Sequence, residues 1–213
     1  MEVNKSDWTL KSILKAKHGV TEKYIPNLDD LKKIVEAAKQ GGYKVGLTQG
    51  VYDMFHVGHG RYLEEASTHA DILIVGVDSD ELTRSMKGPT RPFDTFEERI
   101  EILAMLSCVH VIVKRDVDQH MYDLIKLVKP DVLVMSQTTR TFGDEDKRVL
   151  NEYCGTIRHL EAKAATSTTA KLRRLKIEGI TPFSIAVKQK VTEFAEDVIS
   201  LVESSLKGET DGQ

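Results

Sequence analysis

The sequence predicts an α/β fold built on a parallel sheet of five strands. Two observations carry that reading. Short apolar segments alternate with stretches of helical period along most of the chain, the pattern of repeated strand–helix–strand units. The segment from Asp71 to Val77 is a nearly unbroken apolar run, as expected of a strand buried on both faces.

The elements follow in order. Residues 1–26 have no clear period, although Trp8, Leu10, Ile13 and Leu14 suit a short amphipathic helix. Asn27 with Asp30 resembles a capping box, and Leu31, Ile34, Val35 and Ala38 then recur at helical spacing until Gly41-Gly42 ends the helix. Lys44–Thr48 reads as the first strand, running into a loop at Gly50, and a helix is expected from about Gly58 to Ser67. Asp71–Val77 is the second strand, closed by Asp78-Ser-Asp80. A loop rich in Lys, Gly, Pro and Arg spans Met86–Pro92. Asp94 with Glu97 suggests a second capping box, ahead of a helix carrying Ile100, Leu103 and Ala104. Val109–Val113 is the third strand, and Met121–Val128 is helical, stopping before Pro130. Val132–Met135 is the fourth strand and Asp144–Tyr153 a helix ended by Gly155. Thr156–Leu160 is a fifth, more exposed strand, and Ser167–Ile177 is helical. After a break at Gly179–Pro182, Val191, Phe194, Ala195, Val198, Ile199 and Val202 form a last amphipathic helix. This divides the chain into an N-terminal extension, 1–26, a main domain, 27–178, and a C-terminal helix with a polar tail, 179–213.

Composition narrows the function classes. The chain has 213 residues, 40% hydrophobic and 30% charged, with a formal net charge of -3. That balance fits a globular domain and lacks the basic excess of a nucleic-acid surface. No apolar run reaches the roughly 20 residues needed to span a bilayer, and the first residues lack a signal-peptide core. Cys108 and Cys154 read as two reduced structural thiols, so a cytoplasmic location is expected.

In open parallel sheets, ligands bind at the carboxyl ends of strands. The loop after the first strand reads Gly50-Val51-Tyr52-Asp53-Met-Phe-His56-Val-Gly58-His59. Two histidines three apart at a helix start share one face of its first turn. The dipole end and free amides of that turn favour an anion, and Gly58 lets a phosphate approach the backbone. The loop is therefore a compact anion site with imidazole donors. No Cys pair or third His lies nearby, so a metal site on the pair, and with it a metal-dependent hydrolase, stands only as a third reading behind the anion site.

This loop, followed by Arg61-Tyr62-Leu63, strongly resembles the cytidylyltransferase-like superfamily, whose mark is a Gly-x-(Phe/Tyr)-Asp-x-x-His-x-Gly-His loop. Val75–Asp80, Met86–Pro92 and Glu98-Arg99 are similar to the adenylyltransferase half of the bifunctional ADP-heptose synthases. Glycerol-3-phosphate cytidylyltransferases share the skeleton with different spacing. The resemblance implies a Rossmann-like, doubly wound sheet and transfer of a nucleoside monophosphate from ATP or CTP to a small phosphorylated acceptor, releasing pyrophosphate. Mg2+ would accompany the nucleotide. The stretch Lys87–Pro92 favours ATP.

The resemblance also assigns roles. His56 and His59 would hold the triphosphate and stabilise the transition state, with Lys87 as a cationic clamp. Gly50, Val51, Tyr52, Asp53 and Gly58 would form the nucleotide loop; Asp53 shapes it or serves as a plain turn residue. Arg91 and Arg99 would face the acceptor, and Asp80 would contact an acceptor hydroxyl or simply cap a helix. Thr166, Ser167, Thr168 and Thr169 resemble the family's Ser-Thr-Thr motif at a helix N-terminus, where hydroxyls would bind phosphate oxygens; an ordinary N-cap is the other reading.

Two departures bear on the acceptor. Relatives commonly carry a Gly-Asp segment after the fourth strand, where this chain has Met135-Ser-Gln-Thr-Thr-Arg140. They also place an Arg and a Gly before Ser-Thr, where this chain has Glu161-Ala-Lys-Ala-Ala-Thr166. A second class of function, a nucleotide-binding regulator or assembly protein with a degraded acceptor site, rests on those changes. The C-terminal amphipathic helix must bury its apolar face, either on its own domain or in a homodimer.

Overall fold

A computed structural model of the chain describes residues 9–15, 19–119, 122–137 and 144–161, together with 187, 189–194 and 196. Two compact units divide at residues 165 and 166. The second is represented by helical residues between 187 and 196, on which Val187, Val191 and Phe194 are exposed. The expected helix at Ser167–Ile177 lies outside the described residues. No described helix is long and apolar enough to cross a membrane.

The first unit begins with α1 (Leu10–Lys15) and α2 (Val20–Lys23). The chain continues through α3 (Leu28–Gln40), β1 (Val45–Gly50), α4 (Val57–Ser67), β2 (Ile72–Asp78), α5 (Asp80–Lys87) and α6 (Phe96–Ala104). It closes with β3 (Val111–Arg115), α7 (Asp123–Val128), β4 (Val132–Ser136), α8 (Asp144–Tyr153) and β5 (Thr156–Leu160). The strands form one sheet, entirely parallel, in the order β3-β2-β1-β4-β5. The chain builds outward from β1 through β2 to β3, then crosses back to β4 on the other side of β1. That reversal opens a crevice at the carboxyl ends of β1 and β4.

Every residue of β2 is buried, which explains its apolar run. Side chains alternate across the sheet. Val45, Leu47, Ile72, Ile74, Val111 and Val113 face one core layer with α3 and α7. Leu73, Val75, Val77 and Ile112 face a second layer with α4 and α6. Ile13 and Ile25, upstream of the first long helix, are also core residues. Ile25 N–H donates to Ile112 O at 2.9 Å, and Tyr24 bridges Ile112 in parallel register along the open side of β3. Lys23 is enclosed beneath them, its Nζ 2.7 Å from Leu106 O, and burial pushes its ammonium below the usual lysine range.

Three local differences from the sequence reading have physical causes. Helix α5 had no apolar period to announce it, because Thr83 is its one buried residue. The capping box belongs to Thr95 and Glu98. Asp94 is spent elsewhere: its carboxylate accepts from Met54 N–H, and its own N–H donates to Asp53. Strand β3 starts two residues late, since Val109 N–H closes a turn onto Leu106 O. Asn27 caps α3 by accepting from Asp29 N–H at 2.7 Å.

Just before β3, His110 Nδ1 accepts from Leu73 N–H at 3.1 Å. Burial, aided by the nearby Lys23 charge, lowers the affinity of this imidazole for a proton. The folded chain therefore binds that proton less readily than the unfolded chain. This contribution to stability is complete above the ordinary histidine pKa and is lost as pH falls below it and through the lowered folded value. His110→Asn keeps an acceptor for Leu73 N–H without titrating. Urea midpoints of the variant are expected to decline less than those of the natural protein between about pH 7 and pH 5. Parallel declines would remove His110 from the acid response.

Candidate active site

The loop leaving β1 turns sharply. Tyr52 and Met54 both adopt left-handed backbone, φ 57° and 48°, a conformation costly for side-chain-bearing residues. Asp53 between them holds the turn. Its Oδ1 accepts from Phe93 N–H at 2.9 Å and Asp94 N–H at 3.1 Å, and its Oδ2 pairs with Arg91. Asp94 returns the clasp by accepting from Met54 N–H. The segment 91–94 is thus laced to the histidine loop through reciprocal carboxylate–amide bonds, which are stronger than neutral ones.

His56 is the N-cap of α4, and its Nδ1 accepts from Gly58 N–H at 3.0 Å. The first-turn amides expected to await an anion are engaged inside the turn, since His59 and Gly60 N–H both donate to His56 O. The cap has a chemical consequence. With Nδ1 acting as acceptor, the proton of the neutral ring sits on Nε2, which becomes the donor of the ring. His59 stacks on His56, ring centroids 3.9 Å apart and 19° from parallel. Tyr52 and Phe55 brace it at 5.7 and 5.4 Å. Both imidazoles are half-buried at the carboxyl edge of the sheet. Gly50, at the end of β1, lies under the Tyr52 ring: an added Cβ would stand 3.3 Å from Tyr52 Cε2. Val51 and Tyr52 are buried, as is Gly58.

Arg99, expected to face an acceptor, is instead enclosed, its side chain 0% exposed. Its guanidinium donates to Val51 O at 2.6 Å, Asp78 O at 2.8 Å, Asp94 O at 3.2 Å and Asp80 Oδ1 at 2.6 Å. The rigid, always-charged fork suits this. It joins the start of the histidine loop, the end of β2, the segment before α6 and the first turn of α5. Asp80 therefore serves Arg99, while Ser79 caps α5 through Leu82 N–H. Arg91 lies against Asp53 and over the Phe93 ring, 4.6 Å from its centroid. Lys87 is exposed at the last turn of α5, which Gly88 ends at φ 95°.

The structure thus gathers His56, His59 and the loop residues Gly50, Val51, Tyr52, Asp53 and Gly58, with Arg91 paired to Asp53 and Asp80 linked to Val51 only through Arg99. Thr166, Ser167, Thr168 and Thr169 lie outside the described residues. Two features were missed in the sequence: the partnership of Asp94 with Asp53, which follows no spacing rule, and the polar ends of β2 and β3. Asp78 and Arg115 there form an ion pair at 3.0 Å, and burial raises the carboxyl pKa of Asp78. Strand alternation from Ile74 and Val113 places both on one face, a signal that was available.

Among the described residues no group of three His, Cys, Asp or Glu is arranged to hold a metal ion. The nearby carboxylates are engaged: Asp53 with Arg91 and amides, Asp80 with Arg99, Asp78 with Arg115. That donor set fits a Mg2+ carried on phosphate oxygens with few protein ligands.

A family model described as cytidylyltransferase-like matches residues 47–194. The bifunctional protein HldE of Geobacter metallireducens is 38% identical over 152 residues, covering 71% of this chain and 31% of the relative. That of Sulfurimonas denitrificans is 35% identical over 160 residues, covering 74% and 32%. The chain spans about a third of the length of these relatives. A crystal structure of the lipopolysaccharide core biosynthesis protein from Thermoplasma volcanium aligns with TM-score 0.48 and 22% identity, over 59% of this chain and all of that one.

Proposed function

From the premise that this chain belongs to the cytidylyltransferase-like family, we propose that it transfers a nucleoside monophosphate from a nucleoside triphosphate to a sugar phosphate or polyol phosphate, releasing pyrophosphate. The observation that carries the reading is the stacked His56–His59 pair, with the His56 tautomer fixed by the cap of α4.

A phosphate oxygen of the acceptor attacks the α-phosphorus in line, the bond to the β-phosphate oxygen breaks, and pyrophosphate leaves. The nucleophile is already anionic, so no general base or covalent intermediate is needed. Catalysis then rests on alignment and on donors aimed at the charge that develops on the α-phosphate and leaving group. His56 Nε2–H and the ring of His59 supply such donors without the reorganisation that water would require. Lys87 is an exposed cation at the same sheet edge, suited to the leaving pyrophosphate. Arg91 reaches a phosphate by exchanging Asp53 for it. Bound Mg2+ supplies charge neutralisation of the triphosphate. ATP is the preferred donor, as the sequence from Lys87 to Pro92 suggests.

A screen of pyrophosphate release crosses ATP, CTP, GTP and UTP with sugar phosphates, glycerol phosphate, flavin mononucleotide and phosphoethanolamine. Release is expected with ATP and a hydroxylated phosphomonoester of the sugar or polyol class. Nucleotide binding without release across the whole panel would reject the enzyme reading in favour of a regulator.

A further inference from the structure

At the carboxyl end of the sheet, on the face opposite α4, three adjacent strands end in polar side chains. Gln49 of β1, Asp78 of β2 and Arg115 of β3 continue the inward-facing rows Val45–Leu47, Ile72–Ile74 and Val111–Val113. Gly76 lets them meet. A Cβ there would stand 2.7 Å from Leu124 Cδ2, 3.1 Å from Arg115 Cδ and 3.3 Å from Gln49 Cγ. The absent side chain is thus what allows Gln49 and Arg115 to converge over β2.

The hydrogen-bonding capacity of this cluster is not used up inside the protein. Asp78 Oδ1 meets Arg115 Nη1 as an ion pair but accepts no hydrogen bond, and the buried Gln49 Nε2 makes none. The Asp78 and Arg115 side chains are only 5% and 14% exposed. A buried ion pair stabilises a fold little better than an apolar pair of the same shape. Groups so enclosed and so incompletely bonded are more characteristic of recognition than of packing. Gln49 also directly precedes Gly50, where the histidine loop begins.

We propose that Gln49, Asp78 and Arg115 form the subsite that reads the hydroxyl groups of the acceptor. This rests on the proposed transferase reading and deepens it by naming which part of the acceptor is recognised, and by what. The charges decide the chemistry. Asp78 cancels Arg115, so the cluster does not attract a phosphate. A carboxylate acceptor beside amide and guanidinium donors matches neutral hydroxyls, which both give and take hydrogen bonds. A site built this way rejects analogues that lack those hydroxyls, because its buried groups would be left unpaired.

The test is calorimetric titration of the full chain with glucose 1-phosphate, mannose 1-phosphate, galactose 1-phosphate and glycerol 3-phosphate. Cyclohexyl phosphate and propyl phosphate serve as the unhydroxylated counterparts. At least one hydroxylated probe is expected to bind tenfold or more tightly than its counterpart. Gln49→Leu removes the amide and leaves the ion pair in place. It is expected to shrink that ratio about tenfold, the worth of one good hydrogen bond, with nucleotide affinity unchanged. Asp78→Asn, checked first for an intact unfolding transition, should shrink it as well. A natural protein that does not distinguish the counterparts, or a Gln49→Leu variant that distinguishes them equally well, overturns the subsite. Discrimination in binding with no pyrophosphate released by any pair would leave the subsite standing and reject the transferase reading alone.

Discussion

Replacing His59 with alanine is expected to lower kcat by about 10²–10³-fold, the usual effect of deleting one donor aimed at a developing phosphoryl charge. KM for the nucleotide should move far less, since a donor whose bond strengthens in the transition state affects turnover more than binding. His59 is the better target of the pair. Its ring lies on His56 at 3.9 Å, but the first turn of α4 is closed by main-chain bonds to His56 O, which alanine retains. His56 also caps α4 through Gly58 N–H, so its removal would mix a structural loss into the chemical one. Steady-state kinetics on the best pair from the screen decide the matter. Turnover within a factor of about three of the natural protein would take His59 out of the reaction.

The second large effect falls on stability. Arg99→Met keeps much of the side-chain volume and discards the guanidinium. Three carbonyls and the Asp80 carboxylate then lose a donor at once. Breaking a buried pair in this way costs on the order of 3–5 kcal/mol, read as a shift of the urea midpoint at constant slope. Arg99→Lys should recover only part of it, because an ammonium cannot span acceptors on four separate segments as the planar fork does. A loss below about 1 kcal/mol in the methionine variant would mean that those segments hold one another without Arg99.

These two residues also measure how much the sequence disclosed. The histidine loop was legible because its chemistry is local: strand, turn and helix start lie within ten residues, and the periodicity of the flanks placed them at the mouth of a parallel sheet. The apolar run of β2 was equally plain. Arg99 was legible as a residue of interest but not in its role, since its partners lie up to 48 positions away and no spacing encodes them. The same holds for Asp53, whose carboxylate reaches 41 positions forward to Asp94. Helix α5 escaped notice because it buries one residue, so periodicity had nothing to register. The order of strands was invisible for the same reason that long-range bonds were: adjacency across a crossover leaves no mark in the linear chain.

The segment from Lys23 to Ile25 has a practical implication. Its pairing with Ile112 shields what would otherwise be a bare hydrogen-bonding rim along β3, the kind of rim that recruits strands from other molecules. Shortened versions of this protein cut at Asn27, where the periodic sequence starts, would strip that shield and also take away the Lys23 ammonium that Leu106 O accepts from. A cut upstream of residue 19 preserves both.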